Sequence, residues 1–105
     1  MLDQFHVPED IAVYVDPDVM RSTVEDIFVA LGMPEKHAEQ SADVLLYADV
    51  RGIDTHGVSN MLRTYIERIR EGKINLKPNW SIVNEAPAAC TIDSDGAHGG
   101  VIGPE

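Results

Sequence analysis

The sequence predicts a mixed α/β protein: an N-terminal helical part of three helices over residues 1–72, then the start of a β-containing domain over 73–105. Three observations carry this. Apolar residues recur at helical spacing in three successive stretches, closed by Gly32, Gly52 and Gly72 in turn. Beyond Gly72 the helical period gives way to short β-branched runs around a proline turn. The composition, 44% hydrophobic and 25% charged in 105 residues, is that of one small folded domain and not of a disordered chain.

The elements follow in order. Met1 to Asp10 is polar, carries Pro8, and reads as a loosely held arm. Ile11-Ala12-Val13-Tyr14-Val15 is β-branched and short, which predicts one strand. Asp16 supplies an N-cap acceptor and Pro17 a first helical residue with a preset φ, so a helix starts there. Met20, Val24, Ile27, Phe28 and Leu31 form its apolar stripe up to Gly32. Pro34-Glu35-Lys36 restarts the pattern, and Ala38, Ala42, Leu45 and Leu46 give the second helix a small-residue face that a neighbour can approach closely. After a loop from Ile53 to His56, Val58, Met61, Leu62, Tyr65, Ile66 and Ile69 make a third apolar face. Loops this short suit helices packed side by side. Trp80–Asn84 and Ala89–Asp93 read as a hairpin joined by Glu85-Ala86-Pro87-Ala88, followed by a turn at Asp93-Ser94-Asp95-Gly96. A lone hairpin is marginally stable, and the run from Gly96 to Glu105 is rich in glycine, so the chain reads as the front part of something larger.

Charge and motifs exclude several functions. A formal net charge of −10 disfavours nucleic acid and anionic membranes as partners. Cys90 is the single cysteine, which rules out an internal disulfide and fits a reducing, cytoplasmic setting. Met1-Leu2-Asp3-Gln4 opens no signal peptide, and no apolar run approaches the roughly 18 residues of a membrane span. His6, His37, His56 and His98 are scattered without metal-ligand spacing, so no metal site is expected. Gly96, Gly99, Gly100 and Gly103 lack the spacing of a dinucleotide-binding glycine loop.

The segment Ala48-Asp49-Val50-Arg51-Gly52-Ile53-Asp54-Thr55-His56-Gly57-Val58 concentrates the chemistry. Histidine titrates near neutrality and suits proton transfer. If the third helix begins near His56, then His56, Asn60 and Arg63 fall along one face at i, i+4 and i+7. Such a row could meet a small carboxylate, with Arg63 on the carboxylate and His56 on a carbonyl or hydroxyl oxygen. Thr55 could bond the imidazole, and Asp49, Arg51 and Asp54 could tune it. The same residues also have plain structural uses: His56 as a helix-start residue, Arg63 paired with Glu67, Asp54 and Thr55 as caps.

Taken whole, the segment resembles the A-D-x-R-G-x-[DE]-[ST]-H-G-V motif of the malate/L-lactate dehydrogenase family, NAD(P)-dependent oxidoreductases that include malate, sulfolactate and ureidoglycolate dehydrogenases. Gly32-Met33-Pro34-Glu35 to Ala38, Tyr65 to Gly72, Ile74, Pro78 and Trp80 to Gly96 resemble the family's path on either side, so the likeness covers the chain from about Val15. It implies an α/β fold with a helical N-terminal part and a non-Rossmann nicotinamide domain, in homodimers of subunits roughly three times this length. It implies that the substrate is a small 2-hydroxy or 2-oxo acid, that the cofactor is NAD or NADP, and that most cofactor-binding segments lie beyond Glu105, leaving residues 1–105 inactive by themselves. His56 matches the family's proton-transfer histidine and Thr55 its hydroxyl neighbour, usually serine. Asn60 departs from the arginine that many members place there for the substrate carboxylate, a duty Arg63 could take up. The alternative from another class is a non-enzymatic acidic helical interaction module.

Overall fold

The computed structural model describes residues 6–105. Residues 1–5 of the expected arm lie outside the described residues; residues 6–10 are exposed and neither helical nor extended into a sheet. The elements are α1 (Pro17–Ala30), α2 (Glu35–Val50), a 3₁₀ turn (Asp54–His56), α3 (Val58–Arg70), β1 (Ser81–Ala86), β2 (Ala89–Asp93) and a short α4 (Gly99–Ile102).

The start of α1 is fixed as its sequence suggests. The Asp16 carboxylate accepts from the backbone N–H groups of Asp18 and Val19 at 2.9 and 3.1 Å, and Pro17 fills the first helical position. Gly32, Gly52 and Gly72 each sit at positive φ just past a helix, where a side chain would be strained. The core lies between α1 and α2: Val24 and Phe28 meet Met33, Ala38, Ala42, Leu45 and Leu46, all buried. The alanines let α1 seat Phe28 fully out of water, a burial that contributes about 1.5–3 kcal/mol. α3 leans on this pair through Val58, Met61, Leu62, Tyr65 and Ile69, which remain half-buried.

Two expectations need correction. Ile11–Val15 is not a strand: the segment joins no sheet among the described residues, and Ile11, Val13 and Tyr14 are exposed. β-branched composition favours a pleated surface only where a partner strand exists to pair with. The hairpin turn is also tighter than expected. Glu85 and Ala86 join the ladder opposite Cys90 and Ala89, leaving Pro87-Ala88 as the turn, and the register shifts between Ile82 and Asn84.

Every residue of β1 and β2 is exposed on both faces. The radius of gyration, 15.7 Å, exceeds the roughly 13 Å of a compact domain this long, as a projecting hairpin requires. The chain then returns to the helices. Asn75 N–H donates to the Gly96 carbonyl at 2.8 Å, the Asn75 amide donates to Asp95, and His98, Gly100 and Val101 are buried beside α2. No helix of the described residues is long and apolar enough to cross a membrane.

Candidate active site

The loop bearing His56 is built by the end of α2. Ile53 N–H reaches back to the Ala48 carbonyl at 2.9 Å and Gly52 N–H to Asp49 at 3.0 Å, closing α2. His56 N–H then bonds the Ile53 carbonyl at 2.9 Å, which coils Asp54–His56 into its 3₁₀ turn. Gly57 is extended, with φ −90° and ψ −168°, and α3 begins only at Val58. His56 therefore stands before the helix. The expected single face of His56, Asn60 and Arg63 does not form, because one extended residue between turn and helix breaks the helical phase.

The neighbours of His56 divide clearly. Thr55 Oγ1 lies 2.9 Å from His56 Nδ1, so the hydroxyl and the imidazole are hydrogen-bonded, and the imidazole is exposed to solvent. The Asn60 side-chain amide donates to the Thr55 carbonyl at 2.7 Å, binding α3 to the turn. Arg63 Nε instead pairs with Glu67 at 3.2 Å on the open surface, where its side chain is 88% exposed. Arg51 lies over the Tyr47 ring, 3.4 Å from its centroid. Neither arginine forms a hydrogen bond with the imidazole among the described residues.

Beside the turn is a shallow depression of about 380 Å³ lined by Val7, Asp54, Thr55, Ser59 and Asn60. Its volume is at the small end of the range for small-molecule sites. Its lining offers hydroxyls, an amide and one carboxylate. Among the described residues no group of three His, Cys, Asp or Glu is arranged to hold a metal ion.

Two features escaped the sequence. The first is the bond made by Asp49, whose carboxylate Oδ2 accepts the Val58 N–H at 2.9 Å. The signal available was Gly57, a glycine directly before a helix where another group comes close. The second feature is His98, which its place in the sequence does not single out from the other histidines. Its Nδ1 lies 3.1 Å from the fully buried Ser41 Oγ, and its ring meets Tyr65 edge-on at 4.3 Å. Burial pushes its pKa below the ordinary 6.5. A Cβ at residue 100 would stand 2.9 Å from the His98 ring and 3.4 Å from the Ser41 backbone. Gly100 thus serves close packing, which accounts for a glycine there without a phosphate.

The malate/L-lactate dehydrogenase family profile matches residues 15–105. The chain is 38% identical over 103 residues to malate dehydrogenase from Pyrococcus abyssi, covering 98% of this chain and 28% of that protein. It is 37% identical over 87 residues to L-sulfolactate dehydrogenase from Methanocaldococcus jannaschii, covering 83% of this chain and 25% of the relative. The solved structure of malate dehydrogenase from Pyrococcus horikoshii OT3 superposes with a TM-score of 0.86 at 35% identity, over 94% of this chain and 28% of that one. The chain thus spans little more than a quarter of the length of these relatives.

Proposed function

The chain belongs to the malate/L-lactate dehydrogenase family, and from that premise we propose that it carries the proton-transfer part of an oxidoreductase. The substrate would be a small 2-hydroxy acid and its 2-oxo acid, such as malate or lactate, with NAD or NADP as the hydride carrier. The observation that carries this reading is the exposed His56 imidazole held at Nδ1 by Thr55. Membership in a family of dehydrogenases leaves the non-enzymatic interaction module without support.

The chemistry assigned to these residues is specific. A base needs its lone pair at the free nitrogen, so neutral His56 carries its proton on Nδ1 and donates it to Thr55 Oγ1. Nε2 then accepts the hydroxyl proton of a 2-hydroxy acid as the carbinol carbon gives up its hydride. In the reverse direction the imidazolium returns that proton to the carbonyl oxygen of the 2-oxo acid. Nicotinamide, when bound, takes or supplies the hydride. The described residues fit the proton half of this exchange, and of the C-terminal glycines Gly100 packs directly against His98.

For the substrate carboxylate we assign Asn60 and Arg63. The exposed Arg63–Glu67 pair is worth only a few tenths of a kcal/mol, so a substrate carboxylate can displace Glu67. We further read residues 1–72 as a helical domain and the hairpin as the opening of a cofactor and substrate domain, with His98 and Val101 staying on the helical side. A cytoplasmic homodimer completes the proposal.

The test is activity of the complete protein with NADH or NADPH and a 2-oxo acid. His56→Ala should lower kcat by about 10²–10⁴-fold; near-normal turnover would remove His56 from the chemistry. Arg63→Ala should raise KM for the 2-oxo acid with a smaller effect from Asn60→Ala. An unchanged kcat/KM in Arg63→Ala would leave Arg63 a surface residue.

A further inference from the structure

We propose that Asp49 is the positioning residue that sets His56 for proton transfer, by capping α3 from the last turn of α2 and clamping Gly57 against it. The inference rests on the acid/base role proposed above for His56. Three observations converge on it. Asp49 Oδ2 accepts the N–H of Val58, the first residue of α3, at 2.9 Å. Gly57, which would hold the cap in an ordinary helix, has no side chain and makes no side-chain cap bond. A Cβ built at Gly57 would overlap Asp49 Oδ1 and Cγ, so the carboxylate lies directly against the residue after His56.

The consequence is a cap supplied from nine residues upstream on another helix. A carboxylate at a helix N-terminus satisfies an N–H that α3 could not otherwise bond and is favoured by the helix dipole. Because Asp49 belongs to α2, the same contact fixes the distance between the two helices at the point where the 3₁₀ turn is suspended. Asn60 holds the other side of the turn through the Thr55 carbonyl at 2.7 Å. The backbone of Thr55 and His56 is therefore pinned between a bond from α3 and a clamp from α2, and the exposed imidazole is aimed by groups it never touches. Gly57 is required because only a hydrogen at Cα leaves room for the clamp.

This explains the use of the acidic residue two positions before Arg51. Its bond goes to the backbone of Val58.

Steady-state kinetics in the complete protein test the inference. Displacement of a reacting group by about 1 Å can cost about 10²-fold. Asp49→Ala is expected to lower kcat by about 10–10²-fold while KM for the 2-oxo acid stays near wild type. Asp49→Asn keeps an acceptor oxygen for Val58 and is expected to recover most of the lost kcat. Gly57→Ala, which expels the carboxylate while retaining it in the chain, should reproduce the Asp49→Ala loss. Wild-type kcat in Asp49→Ala, or a kcat in Asp49→Asn as low as in Asp49→Ala with both folded, overturns the assignment. Should Asp49→Ala fail to fold, Gly57→Ala and Asp49→Asn decide the matter by the same criteria. If His56→Ala itself retains turnover, the functional reading fails; if His56→Ala is inactive and Asp49→Ala is not, only the positioning role fails.

Discussion

His56 and His98 each set Nδ1 against a side-chain hydroxyl, 2.9 Å from Thr55 in one case and 3.1 Å from Ser41 in the other. The pair at His56 joins adjacent residues and stands in solvent; the pair at His98 spans 57 residues and is buried. The same hydrogen bond therefore does different things. At His56 it orients a ring that stays open to solvent, as the proposed proton transfer needs. At His98 it satisfies a polar group that has been taken out of water, and it ties the returning chain to α2 beside Phe28 and Tyr65. Solvent access, and not the local hydrogen bond, separates the exposed histidine, to which we assign proton transfer, from the packed one.

That contrast can be broken at each end. The largest effect is expected for His56→Ala, whose loss of about 10²–10⁴-fold in kcat should come with an unchanged thermal midpoint, because the ring buries little. A large drop in Tm would show that His56 is structural after all. His98→Ala should do the reverse. It empties a buried ring site and leaves the Ser41 hydroxyl only its weak contact with Met33 Sδ, at a cost of about 2–4 kcal/mol, read as a lower urea midpoint. An unaltered midpoint would mean that the C-terminal segment is not held by His98.

Removing the hydroxyls sharpens the comparison at lower amplitude. Ser41→Ala should cost about 1 kcal/mol of stability. Thr55→Val should leave stability intact and lower kcat roughly three- to tenfold. If both hydroxyls proved to matter only for stability, the two histidines would be equivalent. The smallest effect is the dependence on pH. Burial lowers the folded pKa of His98 below 6.5, so on acidification the unfolded chain binds the proton first. Stability from this group is full above about 6.5 and falls as pH drops from there toward the folded pKa. Denaturation midpoints between pH 7.5 and 5.5 should fall further for the wild type than for His98→Gln. Equal slopes would show that His98 is not held neutral.

How much could be read beforehand differed along the chain. The helical stripes and the Asp16-Pro17 start were legible because each depends on neighbours within a few residues, and α1 formed with its expected cap. The hairpin was legible for the same reason, although the ladder took in Glu85 and Ala86. Ile11–Val15 misled because its residues have strand propensity and no strand to pair with among those described. The proximity of Thr55 and His56 follows from adjacency, whereas the phase between His56 and Asn60 hung on the extended backbone of Gly57.

By itself the sequence determined the capped start of α1, the glycines that close the three long helices, and which family the segment around His56 resembles. These rest on local rules: caps, helical period, turn residues, and an ungapped motif. Tertiary structure alone decided that Asp49 caps a helix it does not belong to, and that His98 is buried against Ser41 and Tyr65 while His56 is not. Burial and cross-helix contact depend on which surfaces meet. Spacing along the chain carries no record of that until α1, α2 and α3 pack.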